Sequence, residues 1–238
     1  MRTAYTVFRN LYNVRKMTMK LVLASGSQRR RELLTMCGYD YEIIVSNADE
    51  TIDENDPESF VRALSFRKAK EVFDRLFAAG RRDFAVIGSD TVVAFQKEGE
   101  TKPVIIGKPK DAEDAVRILS MLSGKTHRVF TGVSVIADIS DENAAAQCSI
   151  REKAEIQTEC SITEVTFETL SPDEITDYVN SGDPLDKAGS YGIQGPFGMF
   201  VREIRGNYFT VIGMPIPVLY KMLKKIGILP HGFYERIE

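Results

Sequence analysis

Short apolar runs alternate with segments of helical periodicity from about residue 20 onward. Apolar runs at residues 21–24, 41–45 and 84–87 predict short strands, because polar or glycine-containing segments bound each of them. Segments that begin near Arg31 and just after Pro57 place leucine, valine and phenylalanine at helical spacing, so they predict two helices between these strands. The first third of the chain therefore predicts an alternation of strands and helices.

The middle of the chain carries clear boundary signals. A helix is predicted at 111–122, where an aspartate opens it and a glycine follows its end. Alternating apolar residues predict a strand at 127–137, and a second long strand is predicted at 156–167 after a loop at 141–147. The capping box SPDE at 171–174 predicts the start of another helix.

The last third begins with a segment at 183–198 that is rich in glycine and proline. It predicts a loop, and a loop of this length is more often functional than merely connecting. Apolar segments at 199–204 and 208–212, separated by Gly-Asn, predict a hairpin. A closing helix is predicted at 217–226.

Helices and strands alternate unevenly, and a further hairpin is predicted from 92–95 and 104–106, joined by a turn at 96–102. We therefore expect an α/β fold with a mixed twisted sheet flanked by helices, and two lobes around a cleft. Residues 21–238 are predicted to form one domain, preceded by an N-terminal extension at 1–20.

The predicted extension contains five basic residues and no acidic residue. It is either a frayed, solvated segment or a targeting segment, because its composition resembles that of a mitochondrial transit peptide. The three cysteines include no Cys-x-x-Cys pair, which argues against a disulfide framework and a zinc site and favours a reducing compartment. We therefore expect a cytoplasmic protein, with a mitochondrial location as the alternative.

The overall charge narrows the class of partner. The formal net charge is -3, so no broad basic field draws the protein to nucleic acid or to an anionic membrane. No apolar run approaches the roughly 18 residues of a membrane helix. With two histidines, a multi-histidine metal site is excluded, and His127 is expected to be structural because it falls in a predicted strand.

The segment SGSQRRR at residues 25–31 lies where a predicted strand leads into a predicted helix. A helix N-terminus presents free N–H groups and the positive end of the helix dipole, and arginine adds bidentate contacts to phosphate. Basic residues in a first helical turn oppose the dipole. Three consecutive arginines there favour an anion site over a solvated turn.

Carboxylates and a lysine form two further clusters. Lys68 falls on the apolar face of its predicted helix, where it either snorkels to the surface or projects into a site. Asp90 follows an apolar strand among small residues, where it either starts a turn or acts on a metal or a water. The acidic segment DET at 49–51 is weak evidence by itself, because acidic loops are usually just solvated.

Glycine-rich segments form the last cluster. GKP at 107–109, DKAG at 186–189 and YGIQG at 191–195 combine flexible backbone with lysine and glutamine, which suits recognition of phosphate and of a base. The chain has no GxxxxGK[ST] or GxGxxG motif. A P-loop ATPase or a Rossmann dehydrogenase is therefore not expected.

The order of these clusters resembles the Maf (septum formation protein) family of nucleoside triphosphate pyrophosphatases from about residue 21 to residue 227. The resemblance rests on LASGSQRR at 23–30, DET at 49–51, KA at 68–69, GSDTV at 88–92, GKP at 107–109, residues 119–126, PLDKAG at 184–189 and QG at 194–195. The chain departs from the family at Gln28, where proline is usual, and this change removes no reacting group. The turn at 96–102 is also longer, and we assign it no role.

The resemblance implies a Maf/ITPase-like fold and hydrolysis of a nucleoside triphosphate between its α and β phosphates, to a nucleoside monophosphate and pyrophosphate. It implies Asp90 as the general base, and Glu50 with Asp90 as ligands of a divalent cation, Mg²⁺ or Mn²⁺. A homodimer is common in the family. The substrate-binding residues it implies are Ser25, Arg29, Arg30, Lys68, Thr91, Lys108, Lys187 and Gln194.

Three of these residues, Arg29, Thr91 and Gln194, resemble the family branch that acts on dTTP, UTP and related or modified pyrimidine nucleotides. A glutamine side chain offers both a donor and an acceptor to the edge of uracil or thymine. Two alternatives stay open: a 7-methyl-GTP pyrophosphatase, and a nucleotide-binding regulator of cell division that does not hydrolyse. The acidic charge balance disfavours a nucleic-acid-binding role for the arginines.

Overall fold

The computed structural model describes residues 19–139 and 154–231. The predicted N-terminal extension lies outside these ranges except for its last two residues, and the predicted loop at 141–147 lies wholly outside them. The helices and strands are, in chain order, β1 (Lys20–Leu23), α1 (Gln28–Met36), β2 (Tyr41–Ile43), α2 (Pro57–Ala78), β3 (Phe84–Phe95), β4 (Val104–Ile106), α3 (Ala112–Leu122), β5 (Thr126–Asp138), β6 (Ala154–Phe167), α4 (Pro172–Asn180), β7 (Val201–Arg205), α5 (Tyr208–Ile212) and α6 (Ile216–Lys225).

Seven strands form one mixed sheet in the order β2-β1-β3-β5-β6-β7, with β4 paired to β3. Strand β1 is parallel to β2 and to β3, whereas the other pairings are antiparallel. Neighbouring residues of β1 point to opposite faces, so Leu23 packs with α1 and α6 while Val22 packs with α2. The predicted α/β fold with a mixed sheet flanked by helices is confirmed.

Strand β3 changes its neighbour halfway along one edge. Its first half pairs with β1 as far as Ile87, and its second half pairs with β4 from Val93 onward. Strand β5 pairs with β3 along the opposite edge throughout. Among the described strands, none pairs with the first edge between Ile87 and Val93, so the sheet has a gap there. Asp90 lies at this gap.

The sequence predicts that the apolar strand ends at residue 87 and that extended structure resumes at 92. This prediction is wrong, because β3 is continuous from Phe84 to Phe95. The small and polar residues in its middle belong to the strand because β5 pairs with them; Asp90, for example, lies opposite Gly132. Asp90 therefore stands on a strand with a fixed register and not in a turn.

Two glycines allow α2 to pack closely on the sheet. A Cβ atom on Gly88 would lie 2.1 Å from the carbonyl oxygen of Ser65, and one on Gly132 would lie 2.2 Å from that of Val61. Real Cβ atoms essentially never approach another heavy atom so closely, so these positions accept only glycine at this helix-to-sheet distance. The close packing brings Lys68 of α2 to the gap in β3.

The hairpin predicted around residues 206–207 is wrong in its second half. The first segment is strand β7, which pairs with β6, but the second is helix α5. The side chain of Asn207 accepts the backbone N–H of Phe209 at 2.8 Å and so caps α5. Thr163 of β6 bonds to both the N–H and the carbonyl of Asn207, which anchors the cap to the sheet.

Other predicted boundaries are confirmed. Asp111 caps α3 by accepting the N–H of Asp114, and Ser171 and Glu174 form the reciprocal capping box of α4. The predicted loop at 183–198 is folded into short 3-10 turns, at Asp183–Asp186, Ala188–Ser190 and Pro196–Phe200. Within the two described ranges, no helix has the length and apolarity needed to cross a membrane.

Candidate active site

The gap in the sheet beside β3 opens into a cavity of about 450 Å³. We call one side the sheet wall: β3 residues 90–93, the start of α1 and Lys68 of α2. We call the other side the loop wall: residues 186–194. The cavity is lined by all ten residues predicted for the site, namely Ser25, Arg29, Arg30, Glu50, Lys68, Asp90, Thr91, Lys108, Lys187 and Gln194. The structure thus brings them together, while the role of each stays a prediction.

Lys68 lies between the two predicted metal-binding carboxylates. Its Nζ donates to Oδ1 of Asp90 at 2.7 Å and lies 3.0 Å from Oε1 of Glu50. The side chains of Lys68 and Asp90 are only 11% and 12% exposed, so solvent screens this pair weakly, whereas Glu50 is 66% exposed. Lys68 therefore projects into the site and does not snorkel to the surface.

Arg30 is held by three acceptors, two of which come from distant parts of the chain. Its Nε donates to the carbonyl of Gly213 at 2.8 Å, Nη1 to Oγ of Ser25 at 3.1 Å, and Nη2 to Oγ1 of Thr91 at 3.3 Å. Burial lowers the pKa of Arg30, an effect that the charge of Asp90 opposes. These bonds use one N–H of each terminal nitrogen, so the guanidinium can still donate to an anion in the cavity.

The hydroxyl of Thr91 belongs to a chain of hydrogen bonds that ends on α5. Its Oγ1 lies 3.0 Å from Oγ1 of Thr131, which donates to the carbonyl of Thr210 at 2.7 Å. Because Thr131 uses its proton on that carbonyl, Thr91 donates to Thr131 and accepts from Arg30. Thr131 was missed in the sequence because its only signal there is one polar residue in an apolar strand.

The start of α1, which the sequence predicts to be an anion site, carries no acidic group of its own. Its N-cap residue, Ser27, makes no side-chain capping bond, and the first turn contains no acidic residue. The N–H of Ser27 donates to Oγ of Ser25 at 3.2 Å, which turns the chain from β1 into the helix. The N-terminal end of the helix dipole is therefore not compensated by a carboxylate from the helix itself.

The loop wall is rich in ion pairs. Arg29 of α1 lies 3.4 Å from Oδ2 of Asp186 across the cavity, and Lys187 bonds to both Asp183 and Asp186. Partial burial acts to raise the pKa of Asp186, but the hydrogen bond from Lys187 and the charge of Arg29 outweigh it and lower that pKa below its ordinary value. Gln194 is exposed at the far end of this wall.

Lys108 lies just after β4 and is exposed at the cavity. The carbonyl of its neighbour Gly107 accepts the N–H of Gly189 at 3.0 Å, which ties the loop wall to the β3–β4 hairpin. A second cavity, of about 720 Å³, shares Lys108, Glu50 and Asp90 with the first. The two carboxylates therefore stand where two cavities meet.

The site can be tested for its fit to a divalent cation. Glu50 and Asp90 offer carboxylate oxygens, which Mg²⁺ and Mn²⁺ prefer. Across residues 19–139 and 154–231, no group of three or more His, Cys, Asp or Glu side chains could hold a metal ion. Mg²⁺ needs only one or two protein carboxylates when substrate phosphates and water complete its shell. The donor set therefore fits a cation that binds together with a triphosphate.

His127 lies behind the loop wall in an aromatic cluster. It is 2% exposed, its Nε2 lies 3.0 Å from the hydroxyl of Tyr191, and its ring packs edge-on to Phe167. Burial lowers the pKa of His127 to about 3, so the ring is neutral at physiological pH. This surrounding agrees with the expected structural role.

Comparison with known proteins identifies a family and several relatives. The family Maf, described as Maf-like protein, matches residues 20–226. A dTTP/UTP pyrophosphatase of Agathobacter rectalis is 41% identical over 217 residues, which cover 88% of this chain and 98% of that protein. A protein of the same name from Bacillus thuringiensis subsp. konkukian is 42% identical over 210 residues, which cover 88% and 96%. Among solved structures, the Staphylococcus aureus Ham1 protein is similar with a TM-score of 0.45 and 16% identity, covering 87% of this chain and 99% of that one.

Proposed function

The chain belongs to the Maf family and is a nucleoside triphosphate pyrophosphatase, and we propose that it hydrolyses dTTP, UTP and related or modified pyrimidine nucleotides with Asp90 as general base. The observation that carries this proposal is the convergence of every predicted site residue on one cavity. The products are a nucleoside monophosphate and pyrophosphate.

In this proposal, Asp90 receives the proton of the attacking water. It stands on a continuous strand, is largely buried, and is held at 2.7 Å by Lys68. Water forms a new bond to the α-phosphorus, its proton passes to Asp90, and the bond to the bridging oxygen breaks so that pyrophosphate leaves. A base held in position contributes roughly 10²- to 10⁴-fold to such a step.

Arg30, Lys68 and Lys108 bring positive charge to the cavity from three separate elements. A triphosphate needs this because it carries about four negative charges near neutral pH. Arg30 is already fixed by its three hydrogen bonds, so little reorganisation is needed when a phosphate oxygen arrives. The uncompensated start of α1 adds N–H donors on the same side.

Glu50 and Asp90 would hold the divalent cation, Mg²⁺ or Mn²⁺, which when bound neutralises charge on the phosphate oxygens. Before the substrate binds, Lys68 keeps the two carboxylates together because its ammonium contacts both.

A homodimer and a cytoplasmic location belong to the same proposal. Light scattering on the purified protein tests the first, and fractionation of cells tests the second.

Gln194 and Arg29 are the residues that we assign to recognition of the base. Gln194 is exposed on the loop wall, so its amide can meet the edge of a pyrimidine ring. Thr91 contributes indirectly in this proposal, because its hydroxyl is engaged with Arg30 and Thr131.

A substrate panel tests the proposal. The purified protein is incubated with Mg²⁺ and, separately, with dTTP, UTP, the other common triphosphates and 7-methyl-GTP, and pyrophosphate release is measured. We expect dTTP and UTP to be cleaved fastest. Cleavage of 7-methyl-GTP with dTTP and UTP untouched would overturn the assignment of the base. A protein that binds these nucleotides without cleaving any of them would be the non-hydrolysing regulator.

The role of Asp90 has its own test. Asp90→Asn keeps the shape of the side chain but cannot take a proton, so we expect kcat to fall by at least about 10²-fold. Asp74→Asn is the matched control, because Asp74 also pairs with a lysine of α2, Lys70, but lies on the surface of that helix. We expect the control to keep full activity. An Asp90→Asn protein with unchanged kcat would refute the general base.

A further inference from the structure

Tyr178 of α4 lies beneath the loop wall and is 6% exposed. Its hydroxyl accepts the N–H of Gly192 at 3.0 Å and donates to Oδ2 of Asp183 at 2.5 Å. Burial raises the pKa of Tyr178, and its hydrogen bond to Asp183 raises it further, so the hydroxyl stays protonated at physiological pH. One buried hydroxyl therefore joins the beginning of the loop to the segment that carries Gln194.

Lys187 is bound to the beginning of the loop by its ammonium group. Its Nζ donates to the backbone carbonyl of Asp183 at 2.6 Å, to Oδ1 of Asp183 at 3.0 Å and to Oδ1 of Asp186 at 2.7 Å. An ammonium group has three hydrogens, so these bonds use all of them. Only 13% of the side chain is exposed.

The aliphatic stem of Lys187 lies against Gly192. A Cβ atom at Gly192 would be 2.6 Å from Cε of Lys187 and 3.2 Å from Oδ2 of Asp183, so any other residue would push the stem away. The contacts close a ring, from Tyr178 to Asp183, to Lys187, to Gly192 and back to Tyr178. We call these four residues the loop clamp.

We propose that the loop clamp sets the position of Gln194, and that Lys187 acts as a positioning residue within the clamp and not as a phosphate ligand. This inference rests on the proposed function, because it takes Gln194 to read the base. It adds Tyr178 and Asp183, which the sequence did not single out, as determinants of base selectivity. It also replaces the substrate contact predicted for Lys187 with contacts to Asp183 and Asp186.

The physical argument is one of geometry. Gln194 lies two residues beyond Gly192, and its amide must meet a base edge at hydrogen-bonding distance to discriminate. Ile193, between them, packs against the apolar core, so the backbone of this segment is held from both sides. If the hydrogen bond from the N–H of Gly192 to Tyr178 is lost, this backbone segment is held from one side only. Arg30 and Lys68, which we assign to the triphosphate, make their hydrogen bonds and ion pairs with residues outside the clamp.

The decisive comparison is Tyr178→Phe against Tyr41→Phe. Each change removes one hydroxyl that takes part in two hydrogen bonds, but the partners of Tyr41 belong to α1, whereas those of Tyr178 belong to the loop clamp. For Tyr178→Phe we expect the ratio of kcat/KM for the preferred to a disfavoured base to fall about tenfold, which is the effect of roughly one hydrogen bond. We expect Tyr41→Phe to keep that ratio. Equal ratios in both variants would overturn the proposal, and thermal melts show whether either variant is misfolded.

Inorganic tripolyphosphate separates the two roles of Lys187, because it has phosphates and no base. If Lys187 is a positioning residue, the variant Lys187→Met lowers base selectivity, as Tyr178→Phe does. Inhibition by tripolyphosphate then stays within about twofold of the wild type. If Lys187 is instead a phosphate ligand, Lys187→Met weakens that inhibition about tenfold or more and leaves base selectivity unchanged. This result would overturn the proposal. The wild-type panel decides the proposed function separately, because the clamp predicts loss of selectivity whichever base the wild type prefers.

Discussion

The sheet wall and the loop wall face each other across one cavity, but they hold their functional side chains by different means. On the sheet wall, Asp90 and Thr91 have fixed positions because β3 and β5 pair residue by residue beneath them. On the loop wall, Lys187 and Gln194 lie between short 3-10 turns, where side chains make the contacts that a strand partner would otherwise make.

The backbone of the loop wall also carries strain that the sheet wall avoids. Gly189 has a φ of 74° and packs on Val93, and its neighbour Ser190 has a φ of 60° although it is not a glycine. A non-glycine residue in this left-handed region costs of order 1 kcal/mol, so surrounding contacts must hold it there. The difference teaches that substitutions should affect the sheet wall through packing and the loop wall through its polar contacts.

The largest effect is expected from Gly132→Ala on β5, which pairs with Asp90 of the sheet wall. The new Cβ would lie 2.2 Å from the carbonyl oxygen of Val61, so α2 must move away from β5. We expect the free energy of unfolding to fall by about 3 kcal/mol, measured by urea denaturation. Gly107→Ala is the control, because a Cβ there meets nothing within 4 Å. Similar losses in both variants would show that close packing of α2 does not support this wall.

A smaller effect, on the loop side, follows from the buried His127. Its pKa is about 3 in the folded protein against an ordinary value of 6.5, so the unfolded chain takes up a proton first as pH falls. Its stabilising contribution is thus complete above pH 6.5 and is lost progressively toward pH 3. We expect wild type to lose about 2 kcal/mol more than His127→Gln between about pH 6.5 and pH 5. Identical pH dependence of unfolding in both proteins would contradict this.

The smallest effect is expected where the sheet wall depends on a single hydroxyl. Thr131→Val removes the acceptor for Thr91 and should loosen Arg30, lowering kcat/KM about tenfold. Thr163→Val is the matched control, because Thr163 is also a buried strand threonine that bonds to the start of α5. We expect both to lower the melting temperature similarly, but only Thr131→Val to slow catalysis, with Thr131→Ser restoring the rate. Equal kinetic losses in both valine variants would remove Thr131 from the site.

Local signals in the sequence were enough for the class of fold and for most element boundaries. The capping box at Ser171 and the cap at Asp111 each act within a few residues, so the sequence shows them directly. Asn207 misled because asparagine favours both turns and helix caps, and here the contact to Thr163 of β6 favours the cap. The strand through Asp90 was missed because its regularity comes from pairing with β5 and not from its own residues.

The residues of the site also divide into those that the sequence identified and those that only the fold reveals. Motif order along the chain was enough to collect all ten residues that line the cavity. Thr131 could not be found this way, because its hydroxyl bonds to residues 40 and 79 positions away. Tyr178 could not be found either, because only the fold of the loop brings Asp183 and Gly192 to its hydroxyl. Such residues have no signature of type or spacing, and the same residue types occur throughout apolar cores.

The unpaired edge of β3, at the gap in the sheet, has a consequence for how the protein tolerates mutation. Ile87 directs its carbonyl toward β1, where it accepts the N–H of Ala24, and the alternation of a strand directs the peptide groups of Ser89 and Thr91 the same way, into the gap. Main-chain amides are common to every residue except proline, so genetic drift can alter these side chains without removing that hydrogen-bonding edge. A nucleotide that binds along it would therefore meet a surface inherited almost unchanged, while the side chains around it are free to diverge toward new bases.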